Sequence, residues 1–306
     1  MSPFVGSVPS LANGGTVHIR LAHSPDADDA FMFYALAKNK ISSRGHTFEH
    51  VLSDIETLNQ EAFLEKFEVT ALSLHAFAHV SDKYWLLPNG ASIGKGYGPI
   101  VVAREPMPLS RLSEIVVAIP GQYTTAALMM GLVLGEKFQS KVIPFDQIIP
   151  AVLRGEVEAG VIIHEGQLTY SDTKLAKILD LGQWWEKKTG LPLPLGVDAV
   201  RKNVGLDTAR EIAIILEESI RYAIEHEDEA LDYALDFSRG TNRETARKFV
   251  RMYVNERTLR YSEEDKKAVQ MVLSEGYKAG LLPFLPQVSF DLVDVGSNRL
   301  SNSDVG

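Results

Sequence analysis

Val17, Ile19 and Leu21 alternate with polar neighbours, the period-two pattern of a strand. Directly after them, Ser24-Pro25-Asp26 opens an apolar run, FMFYALAK, of helical character, with acidic residues in the first turn where the helix dipole favours them. The sequence then repeats itself in kind. A strand around 48–52 leads to a helix from Asp54, and residues 68–72 form a third short strand that runs into a helix through HAFAHV. Short strand followed by helix, several times over, predicts a parallel sheet flanked by helices.

A glycine-dense stretch, GASIGKGYG (90–98), precedes a strand, PIVVAR, and after Glu105-Pro106 the alternation starts afresh. Residues 115–119 read as a strand closed by Pro120-Gly121, with a helix from Thr124-Thr125. A strand over 141–145, a helix over 146–154 and a strand over 159–164 follow. The segment LDLGQWWEKKTGLPLPLG winds towards a strand near 197–200. From Asp207 the pattern is helical, with Ile212, Ile215, Leu216, Ser219, Ala223 and Ile224 on one face, and amphipathic helices continue to about Gly280. The second α/β unit is thus inserted between the first and a helical tail. The expected division is a flexible tail over 1–16, one lobe from 17–104 and 200–306, and a second over 105–199, joined by strands near 101–104 and 197–202. Such lobes close on ligands by hinge motion, with the site between them.

Composition narrows the chemistry. The chain has 306 residues, of which 45% are apolar and 23% charged, an ordinary globular balance that two domains would share. It has no cysteine, which removes disulfides, thiolate zinc sites, iron–sulfur clusters and cysteine nucleophiles. A net charge of −9 argues against a nucleic-acid surface. No apolar run approaches the roughly 20 residues of a membrane span. The opening residues lack the basic start and apolar stretch of an export signal, so a cytoplasmic location is expected.

Among candidate residues, His164 ends the apolar strand GVII, at the end of a parallel strand where ligands gather. Its ordinary pKa suits a base near neutrality, although a structural histidine closing a strand has the same sequence appearance. Thr124 and Thr125 open a helix after a turn, a position that offers backbone N–H groups to an anion and also one that Thr fills as a plain cap. Asp26, Asp28 and Asp29 suit a helix start. One of them hydrogen-bonding into the cleft is a better reading than a metal site, for which the sequence shows no further ligands. Gly94–Gly98 lacks the spacing of a phosphate loop. Trp184, Trp185 and the LPLPLG run (191–196) suit either the wall of an apolar cleft or a packed turn, and His75 and His79 suit packing on one helix. No G-x-S-x-G is present.

Taken together, GYGPIVVAR (96–104), IPGQYTTA (119–126), GEVEAGVIIHE (155–165) and LGQWWEKKTGLPLPLG (181–196) resemble the 1,4-dihydroxy-6-naphthoate synthase family of menaquinone biosynthesis by the futalosine route. The resemblance runs from Val17 to about Leu282. It implies an α/β, two-lobe, periplasmic-binding-protein type II fold with the ligand cleft between the lobes. It also implies a carbon–carbon lyase that converts cyclic dehypoxanthine futalosine to 1,4-dihydroxy-6-naphthoate with no metal or cofactor. By the same resemblance His164 is the general base. Ser24, Asp29, Thr70, Ala71, Leu72, Ser73, Thr124, Thr125 and Ala126 line the site of a small carboxylate-bearing substrate. Where typical members carry Ser-Pro-Cys-Pro-Asn-Asp, this chain has Ser24-Pro25-Asp26-Ala27-Asp28-Asp29, so only Ser24, Pro25 and Asp29 match. Two relatives of the same fold stand as alternatives. A solute receptor would carry an export signal, and the pathway's chorismate dehydratase would lack the histidine of the IIHE motif.

Overall fold

The structure is a computed structural model that describes residues 16–135, 138–238 and 241–292. The expected tail over 1–16 lies almost wholly outside the described residues. In chain order the first α/β stretch is β1 (His18–His23), α1 (Ala27–Ala37), β2 (Thr47–Leu52), α2 (Ile55–Phe63), β3 (Val69–Ser73), α3 (Leu74–Val80), β4 (Tyr84–Leu86) and β5 (Ser92–Gly94). The second is β6 (Ile100–Ala103), β7 (Val117–Ile119), α4 (Thr125–Leu134), β8 (Ser140–Val142), α5 (Phe145–Arg154), β9 (Ala159–Ile162), α6 (Gly166–Thr169), β10 (Ala176–Asp180) and α7 (Leu181–Thr189). The chain then returns through β11 (Leu193–Arg201) to α8 (Leu206–Glu225), α9 (Glu227–Leu235), α10 (Arg243–Tyr253), α11 (Glu256–Leu259) and α12 (Glu263–Lys278).

Local chemistry explains several boundaries. Asp54 caps α2 by accepting from the Thr57 N–H, Thr124 caps α4 through the Ala127 N–H, and Ser262 with Asp265 closes a reciprocal capping box at α12. Gly155 and Gly190 end α5 and α7 in the left-handed conformation that glycine adopts without a Cβ penalty.

The strands form two sheets. One runs β2-β1-β3-β11-β4, with β5 also on β11, and the other runs β10-β6-β9-β7-β8. Within each, the strands that lead into helices are parallel: β2, β1 and β3 in the first, β8, β7 and β9 in the second. β11 joins the first sheet antiparallel to β3, and β6 joins the second antiparallel to β9. This pairing refines the expected boundaries. β6 lies wholly in the second sheet and β11 wholly in the first, so the chain changes sheets over 95–99 and 181–192 and not within the strands. The WWEKKTG stretch is likewise not a winding turn. It is helix α7, preceded by strand β10, whose alternation (AKILD) is too short to stand out beside the tryptophans.

Among the described residues, the two largest of four buried clusters hold the sheets in place. Phe31, Phe33, Ile212, Leu216 and Phe249 bind α1 to α8 and α10 against the first sheet. The largest cluster takes residues from both sheets, among them Leu72, Val101, Val117, Leu128, Trp185 and Leu193, so the two halves share a core beneath the cleft. No helix among the described residues is long and apolar enough to cross a membrane.

Candidate active site

The cleft opens where the carboxyl ends of the parallel strands of both sheets meet, and it holds about 720 Å³ of space, part of it open to solvent. The turn after β1 supplies Ser24, Asp26, Asp28 and Asp29, and the end of β3 supplies Ala71, Leu72 and Ser73. The start of α4 supplies Thr124, Thr125 and Ala126, and the segment after β9 supplies Ile163, His164 and Gln167. Every residue expected in the site is there except Thr70. That residue lies one position deeper in β3, wholly buried, with its hydroxyl donated to the Ala71 carbonyl. Leu195 and Gly196, from the LPLPLG run that the sequence offered as a cleft wall, also line it, whereas Ile55, Gly90, Ser92, Pro99, Val197, Asp198, Phe249 and Tyr253 were not anticipated from sequence.

His164 does not belong to β9, which ends two residues earlier. Its backbone sits in the left-handed region at φ 54°, a conformation a non-glycine residue occupies at an energetic cost. The turn swings its ring towards α1, with the Phe145 ring at 4.7 Å on one side. Asp26 stands at the N-cap position of α1, yet its carboxylate makes no cap bond to that helix. It lies instead 2.8 Å from Nδ1 of His164. The helix-start reading of Asp26 therefore fails for the side chain, because the electrostatic gain from an imidazole across the cleft exceeds that from its own helix end.

The charges around this pair are arranged with unusual economy of cations. Burial disfavours a charge on Asp26, but the adjoining His164 and hydrogen bonds from His164, Asp28 and Ser24 outweigh it and hold the carboxyl below its ordinary range. Asp28 behaves oppositely: burial, then the charges of Asp26 and Asp29, push it well above that range. Asp29 is raised by burial, then by the charges of Asp26 and Asp198, although it accepts the Ser24 N–H at 2.7 Å. Asp198 on β11 is pushed up to about 8 by burial alone. Glu165 is raised by burial and by Asp26, and its carboxyl meets the Ala27 N–H at 3.5 Å. Among the described lining residues there is no lysine or arginine. Asp26, Asp28 and His164 each place one potential ligand atom within 4.8 Å of the others.

The two threonines prove more structural than their sequence position suggests. Thr124 donates its hydroxyl to the Gly121 carbonyl at 2.8 Å while accepting from Ala127, and Thr125 donates to the Leu195 carbonyl at 2.6 Å while accepting from the His75 N–H. Their hydroxyl protons are spent within the protein. What α4 turns to a ligand is its first backbone N–H groups, which no helix can satisfy internally.

A family model described as menaquinone biosynthesis matches residues 19–278. The chain belongs to that family. A relative from Thermus thermophilus named 1,4-dihydroxy-6-naphtoate synthase is 40% identical over 272 residues, 89% of this chain and 98% of its own length. One of the same name from Streptomyces coelicolor is 32% identical, over 87% of this chain and 95% of its own. Among solved structures, a protein from Archaeoglobus fulgidus is 47% identical, covers 86% of this chain and 98% of its own, and superposes with a TM-score of 0.83. The alkanesulfonate-binding protein of Xanthomonas axonopodis reaches a TM-score of 0.69 at 10% identity, over 90% of this chain and 98% of its own. The second likeness shows the fold alone: this member of the menaquinone family has the two-lobe architecture of solute-binding proteins.

Proposed function

We propose that the chain is a carbon–carbon lyase that forms 1,4-dihydroxy-6-naphthoate from cyclic dehypoxanthine futalosine, with His164 as the general base. The Asp26–His164 contact across the cleft is the observation that carries this reading. A receptor has no use for a buried carboxylate against an imidazole, whereas a base gains orientation from one. The cleft also suits such a substrate chemically. Ile55, Leu72, Ile163, Leu195 and Phe249 offer an apolar lining for a fused ring. The first N–H groups of α4, with the Ser73 hydroxyl, favour a carboxylate. The carboxyl-rich side, Asp28, Asp29 and Asp198, suits sugar-derived hydroxyls, to which neutral and ionised carboxyls both hydrogen-bond.

In this mechanism His164 takes the proton from a substrate hydroxyl. The electron pair released forms a carbonyl as the neighbouring carbon–carbon bond breaks, the pair from that bond passes to the ring as an enolate that takes up a proton, a three-carbon fragment leaves, and the ring becomes aromatic. The receptor alternative has only the shared fold in its support, at low identity.

The test is incubation of the purified protein with cyclic dehypoxanthine futalosine while dihydroxynaphthoate fluorescence is followed. Catalytic release of product is expected. Tight binding of the compound with no product would move the chain to the receptor reading, and neither binding nor product would place its substrate elsewhere.

A further inference from the structure

We propose that Asp26 is the positioning residue of His164, supplied from the opposite sheet. The inference rests on the reading of His164 as the base and adds how that base is made. An ionised carboxylate can only accept a hydrogen bond, so at 2.8 Å from Asp26 the Nδ1 atom must carry a proton. In a neutral ring that leaves Nε2 as the basic nitrogen. The tautomer is thus chosen by a residue of the first sheet, while the ring hangs from the second.

Three further features fit this division of labour. Asp26 is 1% exposed, so it exchanges little hydrogen bonding with water and holds one orientation. Asp28, also buried, places a carboxyl oxygen within 4.8 Å of Asp26, and burial raises it well above the carboxyl range. Of two carboxyls so close, one keeps a proton and the other a charge, and the pairing with His164 decides that Asp26 is the charged one. The left-handed backbone of His164 is a local cost that the Asp26 contact offsets. Other bonds cross the same seam: Gln167 accepts the Tyr253 hydroxyl at 2.8 Å, and Glu165 meets the Ala27 N–H. A cleft that opened would part His164 from Asp26. The base is therefore oriented only while the two halves are in contact, as they are in this structure.

Charged and titratable groups facing the ring are Asp26 and Asp28 from the start of α1, its neighbour Glu165, and more distantly Asp29, Asp198 on β11 and Tyr253 on α10. Asp26→Asn keeps the shape and removes the charge. We expect kcat to fall by about 10²-fold or more with KM changed little, since the residue orients the base and does not hold substrate. The acid limb of the pH profile should move to lower pH, because the anion no longer favours the protonated ring, and Asp26→Glu should recover part of the rate.

A measurement without substrate separates this proposal from the choice of reaction. The 15N shifts of His164 at pH 8 should report a proton on Nδ1 in the native protein and a mixed or reversed tautomer in Asp26→Asn. An unchanged tautomer in the variant, or a kcat within about threefold of native with the same pH profile, overturns the proposal. If the native protein shows the Nδ1 tautomer but no lyase activity, the positioning role stands and the assigned reaction falls.

Discussion

The carboxylate of Glu56 on α2 lies 3.1 Å from the backbone N–H of Tyr123, and its other oxygen accepts the N–H of Gln122 at 3.0 Å. A side chain of the first sheet thereby fixes the loop that delivers Thr124 and the start of α4 from the second. The space for this contact comes from Gly121, where an added Cβ would fall 2.2 Å from a Glu56 oxygen. Truncation in Glu56→Ala leaves two loop N–H groups without their partner. A loss of about 2 kcal/mol is expected, together with a raised KM because the loop carries a wall of the cleft. Thermal unfolding and steady-state kinetics on Glu56→Ala and Gly121→Ala check this. A variant with native stability and native KM would show that the loop holds its shape unaided.

Replacement of His164 by Asn tests the base with little disturbance of the backbone, since Asn tolerates a left-handed φ better than Ala does. Turnover should fall by roughly 10²- to 10⁴-fold while the melting temperature stays within a few degrees of native. Activity close to native would remove His164 from the chemistry.

Asp198 gives a pH dependence of fixed sign. Its carboxyl titrates near 8 in the folded chain and near 3.8 when exposed, so between those values the folded state holds a proton that the unfolded state has released. Its contribution therefore favours folding at low pH and is lost as pH rises from about 4 towards 8. Asp198→Asn abolishes that dependence. The stability of the variant relative to native should accordingly increase from pH 5 to pH 8, as urea titrations at several pH values would record. The comparison is made as a difference because His23 and His75, held down to about 3 and about 4 chiefly by burial, act in the opposite sense: they cost stability as pH falls below 6.5.

Gly182, the second residue of α7, packs against the chain where it changes sheets. An added Cβ would lie 2.1 Å from the Tyr97 carbonyl oxygen and 2.6 Å from the Gly98 nitrogen, both backbone atoms that cannot step aside. Gly182→Ala should destabilise by several kcal/mol, comparable with Trp185→Ala, which empties a fully buried site and removes the indole bond to the Pro192 carbonyl at 3.1 Å (about 3–5 kcal/mol). Denaturant midpoints, or loss of soluble expression, measure both. An unperturbed Gly182→Ala would mean that the two segments can separate.

Much of the first-order structure is local and so could be read from the chain. The alternation of Val17, Ile19 and Leu21, the caps at Asp54 and Thr124 and the apolar run of α4 predict elements that the structure contains, because each depends on residues within a turn or two. His164 was legible as well, since the end of a parallel strand faces a cleft in this class of fold. β4 and β5 escaped notice for the opposite reason. Each has only three residues, too few for a period to emerge, and each exists because β11 offers it hydrogen bonds.

Sequence alone determined the α/β class, the order of most elements, the family and the placing of His164 in the site. These follow from short-range periodicity and from motifs whose residues are neighbours in the chain. The tertiary structure decided that Asp26 turns away from its own helix to His164, that Asp28, Asp29 and Asp198 are buried along one cleft, and that Thr124 and Thr125 spend their hydroxyls on the protein. Those outcomes depend on distances between residues far apart in sequence and on the exclusion of water between them, and only the assembled fold sets either.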